Sequence, residues 1–206
     1  MYFIFMKMKR FYTIFSIFSI LFFIILNVLN SNLPVFSQDE SPFLKYDNNR
    51  FNFSIEYPST WNLREIPTAS LVNLFNIEII TPFSDTHDMI QEKFLLSINK
   101  LPQNVTFKKY VDDALEQFNK TYTAFKLISD KTTNEDNLPS RTISYSYVAG
   151  LIPMTTKFVM THEIFLYNDK IYVLSFGTPP DKYYDFLPIT EKIFDSFSIT
   201  NSTPKI

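Results

Sequence analysis

The chain has 206 residues, a formal net charge of −2, no cysteine and two glycines. Without cysteine there are no disulfides, thiolate metal sites, thiol nucleophiles or acylated lipoprotein cysteine, and Gly150 and Gly177 alone cannot build a phosphate-cradling P-loop or a dinucleotide-binding turn. The acidic balance, with no basic run beyond the N-terminus, argues against nucleic acid as a partner.

Residues 11–29 carry no charge and follow Lys7, Lys9 and Arg10. The positive-inside rule then sets the N-terminus in the cytosol and the body outside. Two readings of this hydrophobic N-terminal helix stay open. Val35-Phe36-Ser37 offers tolerated residues before a cleavage point, with Gln38 or Asp39 beginning a mature chain. The apolar run nevertheless exceeds the about 7–15 residues of a signal peptide core and approaches the about 20 of a spanning helix. Residues 1–38 are therefore read as a signal peptide or an N-terminal membrane anchor, and 39–206 as a single domain. The body is expected to be exported, at the cell surface or on the extracytoplasmic face of the membrane. Its 16 basic residues face all 21 acidic ones, a net charge of −5. A chain of that length can bury roughly 70% of its unfolded surface without a metal or disulfide staple.

In chain order, Phe43, Leu44 and Tyr46 suggest an edge strand, and Asn48-Asn49 a turn. Phe51, Phe53, Ile55 and Tyr57 alternate with polar residues, the period of a half-buried strand. Pro58 ends it, and Trp61 anchors the corner, with a short helical turn expected through Arg64. Strands are predicted over Phe75–Ile80 and Phe94–Ile98, separated by a polar loop at Ser84–Met89. Phe107, Tyr110, Val111, Ala114, Leu115, Phe118 and Tyr122 fall on one stripe of a helix over Thr106–Tyr122, with Thr106 as N-cap and Asp112, Asp113 and Glu116 toward solvent. Phe125–Ser129 reads as a strand and Lys131–Asn137 as a polar loop. Arg141–Val148, Thr155–Tyr167 and Ile171–Phe176 form a meander, with a tight reversal at Asn168-Asp169. Tyr183–Ser196 reads as a helix interrupted near Pro188, followed by a short strand at Phe197–Ile199. Runs of strands with two separate helices indicate an α+β fold, a mostly antiparallel sheet of six or more strands flanked by helices.

Four segments share their order and spacing with a known family. They are Leu44-Lys45-Tyr46 leading into Phe51–Trp61, Asn104–Tyr110, Lys170–Phe176 and Ile193–Ile199. Over about residues 43–200 the chain resembles the PsbP family, in particular exported PsbP-like proteins of archaea. The resemblance implies an α-β-α sandwich shared with a eukaryotic Ran-binding import factor. In photosynthetic members it implies a non-enzymatic extrinsic subunit that helps retain calcium and chloride near a manganese cluster. Here the leader has the form of an export signal, and no metal-binding residue of those proteins can be matched. The resemblance therefore carries over the fold and the role of a binding or assembly module.

Among candidate sites, Asp85, His87, Asp88 and Glu92 could offer oxygen and imidazole ligands to a divalent cation such as Ca²⁺, Mn²⁺ or Zn²⁺, although the spacing matches no EF-hand and a solvated loop is the plainer reading. No cofactor is required. Alternation places His162 with Phe158, Met160, Ile164 and Leu166, as a hydrogen-bonded core histidine, and Glu163 on the opposite face. No Gly-x-Ser-x-Gly elbow is present for a hydrolase. A tyrosine group including Tyr145, Tyr147 and Tyr172 is a candidate partner-binding groove. Asn104 and Asn201 are candidate glycosylation sites. The expected function is a non-enzymatic extracytoplasmic binding or assembly module that docks on a membrane complex or a protein partner in the envelope, with a direct membrane attachment if the leader is uncleaved. The alternative is an extracytoplasmic small-ligand or metal-binding protein.

Overall fold

The computed structural model describes residues 41–82, 91–135, 138–151 and 154–200, all within the unit Asp39–Ile206. Its elements are β1 (Phe43–Asn48), β2 (Phe53–Pro58), β3 (Asn62–Ile66), β4 (Asn73–Ile80), β5 (Lys93–Lys100), α1 (Phe107–Thr121), β6 (Thr123–Glu135), β7 (Leu138–Leu151), β8 (Met154–Tyr167), β9 (Lys170–Thr178), α2 (Tyr183–Ser196) and β10 (Ser198–Ile199). A seven-stranded sheet has the order β3-β4-β5-β9-β8-β7-β6, and a second sheet the order β1-β2-β10. The pairings in both are antiparallel. This is the α+β arrangement that the sequence pattern predicts. Among the described residues no helix is long and apolar enough to cross a membrane; the leader lies outside them.

Strand alternation divides the large sheet into two faces. On one, Phe94, Leu96 and Ile98 of β5 and Leu174 and Phe176 of β9 pack against β2 and α2. On the other, Ile143 and Tyr145 of β7, Ile164 of β8 and Ile171 of β9 pack beneath α1, whose Val111 is fully buried. Burying each such side chain contributes about 1.5–3 kcal/mol. The stretch Phe51–Trp61 belongs to the small sheet and its corner. Phe51, Phe53, Ile55 and Trp61 are buried, and the Trp61 N–H donates to the Pro58 carbonyl at 2.9 Å. The Tyr172 hydroxyl donates to the Phe51 carbonyl at 2.9 Å and so ties β9 to the small sheet.

Local chemistry accounts for the turns and caps. Asn168 and Asp169 both adopt positive φ, 46° and 57°, the backbone twist that joins two antiparallel strands through two residues. Thr106 caps α1 by accepting the Lys109 N–H at 3.2 Å. Lys108 and Lys109 meet Asp112 and Asp113 one turn on, which offsets their unfavourable place in the first turn.

Three expectations change. The segment after Trp61 is strand β3, paired from Asn62↔Ile80 to Ile66↔Asn76, because a single isolated turn of helix forms one bond at high entropic cost whereas the edge of β4 offers a ladder. β6 continues through Glu135 instead of ending before Lys131, because β7 supplies partners to its polar residues, among them Ser140 for Thr133. α2 runs unbroken through Pro188, which lies on its exposed side and removes one ladder bond without ending the helix.

Candidate functional site

Thr142 and Ser144 of β7 and Thr161 and Glu163 of β8 point away from α1. Register sets Thr142 opposite Glu163 and Ser144 opposite Thr161, and the Ser144 and Thr161 hydroxyls hydrogen-bond to each other at 3.0 Å. α2 crosses the sheet beside them. Tyr183, Leu187, Glu191 and Asp195 recur every four residues and form one stripe of that helix. Its other stripe, with Phe186, Ile189 and Ile193, enters the core. Between α2 and the β7–β8 face lies a groove of 240 Å³, lined by Phe176, Leu187 and Phe194, by the hydroxyl residues of both strands and by Glu163, Glu191 and Asp195. Phe176 and Phe194 are held by neighbouring rings, Phe94–Phe194 edge-on at 4.9 Å and Phe176–Phe186 tilted at 5.9 Å. The lining thus combines fixed aromatic rings with hydroxyl and carboxylate groups.

The reverse side of the same strands carries a second polar group. His162 Nε2 lies 3.0 Å from the Tyr145 hydroxyl and Nδ1 lies 2.7 Å from Ser175 Oγ. Phe118 of α1 stacks on the imidazole at 5.6 Å. Burial pushes the His162 pKa down to about 4, so the ring is neutral near pH 7. The same cause raises the Tyr145 hydroxyl well above its ordinary range. A serine, a histidine and a tyrosine are in contact, but Ser175 and Tyr145 are buried and α1 covers them. The arrangement ties β7, β8 and β9 together beneath α1. The expected grouping of His162 with Phe158, Met160, Ile164 and Leu166 on one face is observed, Met160, Ile164 and Leu166 in the layer under α1 and Phe158 stacked on Tyr147 of that layer at 5.7 Å.

Beside it, Arg141 fastens α1 to the sheet edge. Its guanidinium donates to Asp112 Oδ1 at 2.6 Å and takes both oxygens of Asp130, at 2.8 and 2.7 Å. Lys108 and Arg141 hold the Asp112 carboxyl below the usual carboxylate range, and Arg141 does the same for Asp130. Asp112 is thus a partner of the sheet and not a purely solvated residue, as its helix position alone suggests.

The structure separates the residues picked out by sequence. Tyr145 and Tyr172 are both 1% exposed. They lie on opposite faces of the large sheet, Tyr145 under α1 and Tyr172 against the small sheet. Tyr147 stacks on Tyr122 at 4.4 Å at the end of α1. Tyr145 and Tyr147 are neighbours on the α1 face, their rings 5.9 Å apart, whereas Tyr172 lies in the other layer, so the three form no shared groove. Asp85, His87 and Asp88 lie outside the described residues. Glu92 is 2% exposed and its Oε1 lies 3.2 Å from Lys182 Nζ and 3.4 Å from Thr178 Oγ1, so that oxygen is already engaged at the start of α2. Among the described residues, no three His, Asp or Glu side chains converge as a metal ion needs. Asn104 is exposed with φ 62° in the loop before α1, and Asn201 lies outside the described residues. Sequence reading missed the groove. Its signals were the Thr142/Ser144 alternation and the four-residue recurrence in α2, which meet only once the helix is docked.

A family model described as PsbP-like protein matches residues 21–199. Among solved structures, cyanobacterial PsbP from Synechocystis sp. PCC 6803 has TM-score 0.56 at 14% identity, covering 77% of this chain and 93% of that one. The Ran-binding protein Mog1p of Saccharomyces cerevisiae has TM-score 0.53 at 11% identity, covering 80% and 98%. LpqN of Mycobacterium tuberculosis, involved in cell envelope biogenesis, has TM-score 0.50 at 14% identity, covering 78% and 87%. No curated protein is significantly similar to the chain in sequence.

Proposed function

The chain belongs to the PsbP-like protein family, and on that premise we propose that it is a non-enzymatic binding module that docks on a protein partner at the extracytoplasmic face of a membrane. The leader, with its basic end before an apolar run, supports delivery there. Fold likeness alone carries no function, although one neighbour of this fold is itself a Ran-binding protein. The observation that carries the reading is the division of polar chemistry between the two faces of β7 and β8. The accessible groove is lined by hydroxyls, carboxylates and apolar side chains, with no histidine among them. The hydrogen-bonded Ser175–His162–Tyr145 group lies below α1, with Ser175 and Tyr145 buried and His162 partly buried. An accessible surface suited to recognition, and a base largely covered and hydrogen-bonded on both ring nitrogens, fit a binding protein better than a hydrolase.

The test is recovery of the tagged full-length protein from gently solubilised native membranes, followed by native mass spectrometry. A stoichiometric protein partner is the expected result. Recovery of the chain alone, or carrying only a metal or small molecule, would overturn the reading.

A further inference from the structure

Resting on the extracytoplasmic placement proposed above, we infer that Asn104 is the acceptor of an N-linked oligosaccharide, transferred to the folded domain from a polyprenyl-phosphate-linked donor, and that Asn52 and Asn119 are not acceptors. All three begin an Asn-x-Ser/Thr sequence. Chance supplies such sequences in a chain rich in Asn, Ser and Thr, so the motif alone decides nothing. Geometry decides. The carboxamide and the hydroxyl two residues on must reach one transferase site together from an accessible loop. At Asn119 the motif lies in α1, which ends at Thr121. At about 100° per residue, the two side chains leave the helix about 200° apart, and the Thr121 hydroxyl accepts from Gln117 Nε2 at 3.0 Å. At Asn52 the hydroxyl belongs to Ser54, which is 3% exposed and bonded to Ser198 Oγ at 2.8 Å. The Asn52 carbonyl accepts the Thr200 N–H at 2.8 Å. Neither segment is drawn out without unwinding α1 or parting β2 from β10.

Asn104 differs on each count. It stands in the loop between β5 and α1, where both Asn104 and Thr106 are exposed. The Val105 N–H donates to the Pro102 carbonyl at 3.3 Å and closes a turn, in which Asn104 takes φ 62° at the third position. Thr106 is extended, with φ −78° and ψ 156°. Its oxygen accepts the Lys109 N–H at 3.2 Å, and its own O–H is left to donate. The loop belongs to no strand ladder, so a transferase engages it while the domain stays folded. In the transfer, Asn104 Nδ2 forms a bond to the anomeric carbon of the sugar. The bond from that carbon to the phosphate oxygen breaks, its electron pair leaves with the polyprenyl phosphate, and a base of the transferase takes one carboxamide proton. Turn and cap chemistry also favour Asn at 104 and Thr at 106, and the variants below separate those roles from modification.

The experiment incubates folded full-length protein in detergent with a single-subunit oligosaccharyltransferase and a polyprenyl-diphosphate oligosaccharide. Each site is read by peptide mass after cleavage at lysine and arginine, and Leu101–Lys108 carries Asn104. Synthetic peptides of the three segments report acceptance without the fold. Comparable transfer to the three peptides is expected, with Asn104 occupied at least about tenfold more than Asn52 or Asn119 in the folded protein, where those two require local opening. Thr106→Asp keeps a good helix cap and should abolish occupancy without lowering the melting temperature, while Thr106→Ser should keep both. No transfer to folded Asn104, equal occupancy of the three sites, or occupancy that survives Thr106→Asp overturns the inference. The Leu101–Lys108 peptide is also weighed from protein recovered from native membranes. An attached oligosaccharide is expected there, and a bare peptide overturns the inference. Protease treatment of intact cells separates the two proposals. A bare peptide from a body that the protease digests removes the acceptor and preserves the extracytoplasmic placement, whereas a protected body removes the placement as well.

Discussion

The two faces of β7 and β8 receive nearly the same supply of polar groups and put them to opposite uses. Under α1, the His162 imidazole, the Tyr145 and Ser175 hydroxyls and the Arg141 guanidinium are each matched to partners. On the other side, Thr142, Ser144, Thr161 and Glu163 border an open groove. The difference is coverage. α1 lies over the first face and forces every polar atom there to find a partner or lose one to two hydrogen bonds' worth of solvation, while α2 sits to one side of the second and leaves room along its flank. A residue's type therefore says little about its role until the layer above it is known.

The comparison is broken most severely by removing the sealed ring. Tyr145→Ala takes away a fully buried aromatic side chain and the partner of His162 Nε2. A loss of about 3–5 kcal/mol is expected, read as a lower urea midpoint at unchanged slope. A loss below about 1 kcal/mol would show that the α1 face is loosely packed and that the contrast with the groove is overstated.

Acid sharpens the same contrast. His162 is held neutral with a pKa near 4, while its unfolded value is about 6.5. Between those values the unfolded chain binds the extra proton, so stability rises with pH there. The contribution is complete above about pH 6.5 and is lost as pH falls toward 4, at most about 3 kcal/mol. Asp112 and Asp130, with lowered pKa values, act in a separate window below about pH 3.9. Thermal melts from pH 7 to 4.5 should therefore fall in the wild type and flatten in His162→Gln. A parallel fall in both would assign the loss to other groups.

The smallest effect belongs to the open face. Glu191→Gln removes one member of a like-charged pair at an exposed position, and the melting free energy should change by no more than about 0.5 kcal/mol, in the stabilising direction. A clear destabilisation would mean that the groove carboxylates support the fold and would align this face with the sealed one.

Much of the architecture was legible from local pattern. Thr106 before an apolar stripe, Asn168-Asp169 between two alternating runs, and Phe51, Phe53 and Ile55 at period two each have a short-range cause. The errors came where pairing or docking outweighed local preference. The five residues of β3 are a strand because β4 is beside them, and β6 stays extended past Lys131 because β7 does. The tyrosine group failed as a surface for a related reason. Tyr145 and Tyr172 are both aromatic strand residues, but their phases in β7 and β9 are opposite, and phase relative to a distant strand is a matter of register.

By itself, then, the sequence determined the class of fold, the positions of most elements and the inward phase of His162, because hydrophobic periodicity and turn chemistry act over a few residues. Only the tertiary structure decided that the inward phase is closed by α1, that Glu92 is committed to Lys182, and that Glu163 faces Glu191 and Asp195 across one groove. Those relations join residues far apart in the chain through the packing of a helix on a sheet, and no local spacing encodes where that helix comes to rest.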